Sequence, residues 1–170
     1  MRKAQTEAYL EFAGARAGHL YRSACLLTGG DTHLAEDLVQ ETLGRMYVVW
    51  GRRGKVANPA AYAQTVLVRA FLTQKRRRSS TESPSADLPD RPAAGQDGDT
   101  TLRVTLLQAL ARLAPADRAV LVLRYWEDRS IEETATVLDA SSGAVRTRSS
   151  RALERLRTEL GGSLADLRTR

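Results

Sequence analysis

The stretch that most restricts what this chain can become is its last third, residues 113–157. Ser130 is a strong helix N-cap, and Glu133 three residues later completes a capping box, so a helix begins there. Ile131, Thr134, Ala135 and Leu138 follow at i, i+3, i+4 and i+7 and give one inward stripe. Asp139 and Ala140 break the period, and Asp tolerates the left-handed backbone of a tight turn. Ser141 or Ser142 can cap a second helix, whose inward stripe is Val145, Ala152, Leu153, Leu156 and Leu160. Arg146, Arg148, Arg151, Arg155 and Arg157 lie off that stripe, and residues 143–158 hold five arginines against one acid, Glu154. A basic amphipathic helix alone is more often a solvated face. Preceded by a capped helix and a turn, it is a helix-turn-helix, with the second helix suited to phosphates and guanine edges in a major groove.

The residues SIEETATVLDASSGAVRTRSSRALERLR resemble region 4 of bacterial sigma factors of the extracytoplasmic-function group. The chain keeps Glu133, Ala135, Gly143, Val145, Arg146, Arg148, Arg151 and Ala152 of that pattern, and has Ala144 where Thr is usual. The preceding LAPADRAVLVLRYWED is similar to the family's helix ahead of the motif, with Pro115 suited to a first turn. The resemblance implies contact with an upstream promoter element through Ser142, Arg146, Thr147, Ser150 and Arg151.

A second, separate pattern lies in the first half. From Asp31 to Trp50, residues Ala35, Leu38, Val39, Thr42, Leu43, Met46, Val49 and Trp50 share one side of a helix. Glu36, Asp37, Gln40 and Glu41 share the other. Acids near a helix N-terminus are favoured by the dipole, which accounts for Glu36 and Asp37 more readily than for Glu41. The string AEDLVQETL is similar to region 2.2 of the same family, and the resemblance implies that Glu36, Asp37, Gln40 and Glu41 bind core RNA polymerase.

Asn58 and Pro59 supply an N-cap and an N1 proline for a further helix, from which Tyr62, Val66, Leu67 and Phe71 can face inward. It ends in four consecutive cations, residues 75–78, a run that beside Arg69 suits a phosphate backbone. NPAAYAQTVLVRAFLTQKRRR resembles regions 2.3 to 2.4, and the loop 51–57 resembles the family loop that captures a flipped base. The resemblance implies downstream-element contacts by Arg52, Arg53, Lys55, Tyr62, Arg69, Thr73, Arg76 and Arg77. The family often has Asn at the position of Arg69 and Asp at that of Thr73.

Charge divides the chain in three. Residues 1–78 carry 13 basic and 6 acidic side chains, residues 79–101 carry 1 and 5, and residues 102–170 carry 12 and 9. The middle segment is rich in Ser, Pro, Gly and Asp, with Leu88 its only large apolar residue, so it reads as a flexible acidic linker. The fold expected is all-α: two small helical domains, 1–78 and 102–170, of three or four helices each. The promoter elements implied by the resemblance lie about 15–20 base pairs apart, roughly 50–70 Å. A linker of 23 residues spans typically about 25–30 Å, and about 75 Å fully extended. It reaches only when held extended, and the lobes are expected to move independently in the free protein.

Other chemistries have little support. Cys25 is the single cysteine and sits in an apolar run, so it is read as core, with no disulfide. His19 and His33 stand isolated in sequence, so no metal is expected, and no phosphate loop or catalytic constellation is visible. No signal peptide or membrane-length apolar run is evident, which points to the cytoplasm. A pI near 10.0 points to a polyanionic partner. The resemblance spans about residues 9–160. It implies a sigma factor, not an enzyme, that needs no cofactor, membrane or small-molecule substrate. Core RNA polymerase and promoter DNA are its implied partners, and an anti-sigma factor is admitted as a third. A helix-turn-helix regulator that never binds polymerase is the alternative; it would leave residues 36–41 and 75–78 without a joint purpose.

Overall fold

The computed structural model describes residues 2–52, 56–81 and 98–168. Among these there is no strand; the architecture is all-α. The first lobe holds α1 (Lys3–Thr28), α2 (Thr32–Trp50) and α3 (Pro59–Thr81). The second holds α4 (Gly98–Ala111), α5 (Pro115–Leu121), α6 (Ile131–Leu138) and α7 (Ser142–Arg168). A π-helical turn, Val122–Trp126, continues α5.

Local signals set most helix ends. Asp31 accepts the Leu34 N–H at 3.1 Å to start α2, and Asn58 accepts the Ala61 N–H at 3.0 Å to start α3. α1 stops where Gly29 turns left-handed at φ 65°. That glycine is also a steric requirement: a Cβ there would lie 2.6 Å from the Ala111 Cβ of α4. Helix α3 continues through Ser79, Ser80 and Thr81, and α4 begins at Gly98, so both ends of the expected 79–101 linker are helical. The remainder of that linker, residues 82–97, lies outside the described residues, as do Arg53 and Lys55.

The α2 face is as its period predicts: Leu34, Ala35, Leu38, Val39, Thr42 and Met46 are buried. Tyr9 ties α1 to α2, donating to the Leu43 carbonyl at 2.8 Å and meeting the Tyr47 and Trp50 rings edge-on. Cys25 is a buried core residue. Burial raises its thiol pKa, so it stays protonated and inert at neutral pH. Tyr62 does not face inward as its spacing suggested; it is 38% exposed, and Ala63 takes the buried position beside it.

The lobes are not independent bodies. Ala119, Val122, Leu123 and Val137 of the second lobe join the same buried cluster as Leu20, Leu27, Leu67 and Phe71 of the first. Leu26 of α1 also packs on a smaller cluster of Leu110, Leu113, Leu121 and Ala152. The linker's composition alone suggests lobes free of one another; in the structure α5 and α6 present apolar residues to the first lobe as well as to α7. Val137, off the expected stripe of α6, is one of them.

Candidate nucleic-acid and polymerase interfaces

The helix-turn-helix is built by caps at each joint. Ser130 Oγ accepts the Glu133 N–H at 3.0 Å, while the Glu133 carboxylate accepts the Ser130 N–H at 2.8 Å. That backbone donor is the main reason the Glu133 pKa is lowered. Asp139 adopts the left-handed conformation at φ 52°, ψ 49°, where Ala140 N–H reaches the Ala135 carbonyl at 3.0 Å. Of the two candidate serines, Ser141 caps α7, accepting the Ala144 N–H at 3.1 Å.

Helix α7 buries Val145, Ser149 and Ala152 and half-buries Leu153, Leu156 and Leu160. Arg146, Thr147, Ser150 and Arg151 are exposed together on its outer side, and Ser142 is half-buried at its start. Five arginines do not make five phosphate ligands. Arg148 donates to Asp117 Oδ1 at 3.2 Å and Arg155 to Oδ2 at 2.7 Å. The Asp117 side chain is only 4% exposed, so this carboxylate fixes α7 against α5 with both oxygens engaged. Sequence reasoning missed Asp117. Its partners lie 31 and 38 residues away, and an acid in the first turn of a helix is ordinary.

On α2, Glu36, Asp37, Gln40 and Glu41 are all exposed on one face, as the period predicts. Glu41 pairs with Arg45 at 2.6 Å on that surface. A solvent-screened i,i+4 pair is weak, so it gives way easily to a partner's cation.

The downstream set is divided. Arg52, Tyr62, Arg76 and Arg77 are exposed and Thr73 is half-buried. Arg69 is engaged by the opposite lobe, where its Nε donates to the Val137 carbonyl at 3.0 Å and its Nη2 to the Thr136 carbonyl at 3.1 Å. Both carbonyls lie in the last turn of α6, at the negative end of the helix dipole, which a cation complements well. Arg69, Thr73 and Arg76 line an open cleft of about 800 Å³, closed on its far wall by Pro115, Leu138 and Asp139.

Between the lobes lies a polar cluster that no motif or spacing foreshadowed. Glu127, at the end of the π turn, accepts hydrogen bonds from His19, Ser23 and Gln64. His19, isolated in sequence, is therefore engaged across the lobes. Arg118 is buried too, its guanidinium 5.3 Å from the Phe71 ring centroid, and desolvation lowers its pKa. Among the described residues no group of three His, Cys, Asp or Glu side chains could hold a metal. None of the helices there is long and apolar enough to cross a membrane.

One helical lobe thus carries an exposed acidic face and the other a capped, arginine-bearing helix-turn-helix, the fold of a DNA-binding protein. Comparison with known proteins agrees. The family described as Sigma-70 region 2 matches residues 13–81, and the family described as Sigma-70, region 4 matches residues 109–158. The RNA polymerase sigma-E factor of Streptomyces coelicolor is 37% identical over 150 residues, covering 88% of this chain and 84% of that protein. The ECF RNA polymerase sigma factor SigL of Mycobacterium tuberculosis is 33% identical over 154 residues, covering 85% and 84%. Among solved structures, the extracytoplasmic-function sigma factor SigJ of Mycobacterium tuberculosis superposes with a TM-score of 0.59 at 30% identity, over 86% of this chain and 52% of that one. RpoE of Bartonella quintana, solved with the anti-sigma factor NepR, shares the fold with a TM-score of 0.70 at 23% identity, over 91% and 98%. The chain belongs to the extracytoplasmic-function group of sigma-70 factors, which direct promoter-specific transcription by RNA polymerase. The alternative, a regulator acting without polymerase, leaves the region 2 match over residues 13–81 unaccounted for.

Proposed function

We propose that Glu36, Asp37, Gln40 and Glu41 form the surface by which this sigma factor docks on core RNA polymerase. Arg146, Thr147, Ser150 and Arg151, with Ser142 at the helix start, then read the upstream promoter element. Loop 51–57, with Arg52, Arg53 and Lys55, captures a base of the downstream element. Tyr62, Arg69, Thr73, Arg76 and Arg77 line the path of the opened strand. The observation that carries this reading is the shared exposure of the four α2 side chains on one face of that helix. The protein works in the cytoplasm, where its polymerase and DNA are. It has no chemical step of its own: binding energy drives duplex opening, and the flipped base is held in a pocket. An anti-sigma factor is a further partner, in keeping with the complex solved for the Bartonella protein.

The test is run-off transcription with core polymerase on a genomic library, followed by mapping of start sites. Initiation at a set of sites sharing two spaced elements supports the reading. Core-dependent transcription that ignores the added protein would overturn it.

A further inference from the structure

One buried acid of α5 holds two arginines of the recognition helix. The Asp117 side chain is 4% exposed; its Oδ1 accepts from Arg148 Nη1 at 3.2 Å and its Oδ2 from Arg155 Nη1 at 2.7 Å. The two arginine side chains reach it from outside, at 48% and 60% exposure. They stand seven residues apart in sequence, two turns and about 10 Å along the helix. Both therefore lean toward a single carboxylate.

These cations flank the face that would meet DNA. At about 100° per residue, each lies about 40–60° round the helix from Arg151, which is exposed with Arg146, Thr147 and Ser150. A long, exposed guanidinium at that angle can swing to the phosphates that border an occupied groove. The Asp117 carboxylate turns both of them toward α5 instead.

That diversion bears on discrimination between sequences. Each arginine that reaches a phosphate strengthens binding to every sequence and adds about 0.9 to the salt slope. It adds nothing to the difference between a promoter and other DNA, which base contacts supply. A complex pinned by base contacts admits only the phosphate contacts its fixed geometry allows. A complex on unrelated DNA is free to tilt until a loose cation finds a phosphate. Loose arginines beside a recognition helix thus favour unrelated DNA, which a genome holds in large excess.

Resting on the upstream-element reading above, we propose that Asp117 is a specificity-determining residue that never touches DNA: it withholds Arg148 and Arg155 from phosphate, and leaves Arg146, Thr147, Ser150 and Arg151 to meet the duplex. The sign of the effect separates this role from that of a merely structural ion pair. Loss of a structural pair weakens binding to all DNA. Release of two withheld cations strengthens binding to unrelated DNA.

The experiment uses the full chain and a random-sequence duplex, with affinity followed by fluorescence anisotropy between about 50 and about 200 mM salt. Asp117→Asn keeps one acceptor and sets an amide N–H against the second guanidinium, so at least one cation is freed. The slope of log K on log salt should steepen by about 0.9–1.8, which makes affinity about three- to twelvefold more sensitive across that range. Arg148→Gln and Arg155→Gln, each alone with Asp117 intact, should leave the slope unchanged, because neither arginine reaches DNA while the carboxylate holds it. The triple variant Asp117→Asn/Arg148→Gln/Arg155→Gln should return the slope to the wild-type value. With core polymerase, the amount of unrelated DNA needed to halve initiation at a mapped promoter should fall about threefold for Asp117→Asn and recover in the triple variant.

A slope that stays the same or flattens in Asp117→Asn would overturn the proposal. So would a slope flattened by about 0.9 in either single arginine variant, since that arginine would already be on phosphate. The single variants keep the carboxylate paired, so they decide the point even where Asp117→Asn unfolds. A steeper slope with unaltered tolerance of competitor DNA would remove the specificity role. If wild type with core polymerase initiates without preference for any promoter, the upstream-element reading fails, while the salt slopes still decide whether Asp117 withholds the two arginines.

Discussion

Arg69 of α3 donates its Nε–H to the carbonyl of Val137, 3.0 Å away at the end of α6, so one guanidinium caps a helix of the opposite lobe. Here the guanidinium satisfies backbone carbonyls of α6; in the function proposed above, the same fixed fork of donors serves the phosphates of the opened strand.

For Arg69→Ala we therefore expect weaker open-complex formation at saturating polymerase, with a loss that shrinks as salt rises, because counterion release then contributes less. Exchanging loop 51–57, and not Arg69, should change the preferred downstream base, since Asn pairs well with an adenine edge and Arg with phosphate. Permanganate footprinting on promoter variants checks both. A base preference that moves with Arg69→Ala and not with the loop would reverse the assignment.

The α2 face offers a cleaner separation of binding from folding. Asp37→Arg combined with Glu41→Arg should abolish core binding in co-purification. Both positions are exposed, and the pair that Glu41 makes with Arg45 is a surface one. The change in stability should be less than about 0.5 kcal/mol. Undiminished core binding would remove this face from the interface.

The α7 arginines should divide into two groups. Arg146→Ala and Arg151→Ala should each weaken upstream-element binding by about 1–3 kcal/mol and relax preference at one base pair, as a base contact does. If both weaken all sequences equally, they are phosphate anchors.

Arg148→Ala with Arg155→Ala should act on folding instead. The pair of substitutions leaves the Asp117 carboxylate buried and uncompensated, at a cost of about 3 kcal/mol. Asp117→Ala should cost less, about 1–2 kcal/mol, since the two guanidiniums are half-exposed and water takes them up. Urea unfolding of the three variants gives the order directly.

The capping box that starts α6 should respond to acid. The Glu133 pKa is lowered in the fold, chiefly by the Ser130 N–H. Its contribution is therefore present at neutral pH and is lost as pH falls through the folded value, beneath the usual carboxylate range. The Ser130 amide resonance, followed by NMR from neutral pH downward, should move with that same midpoint, and Glu133→Gln should remove the step.

Local features were legible in the residues alone. Ser130 with Glu133, and Asn58 before Pro59, start helices because each cap acts within three residues of its own position. Helical period alone was enough to expose Glu36, Asp37, Gln40 and Glu41 together on α2, and Arg146 with Arg151 on α7. Pairings between distant residues were settled by the packing of the helices. Asp117 draws two arginines out of an apparently uniform basic face from 31 and 38 residues away. Glu127 meets His19 across 108 residues. Arg69, a phosphate ligand by composition, finds the carbonyls of α6. A charged side chain reads the same in sequence whether it ends in water, against DNA or in a buried pair. Which of these it meets depends on how the helices stack, and that is set by apolar burial summed over both lobes, which no window of neighbouring residues contains.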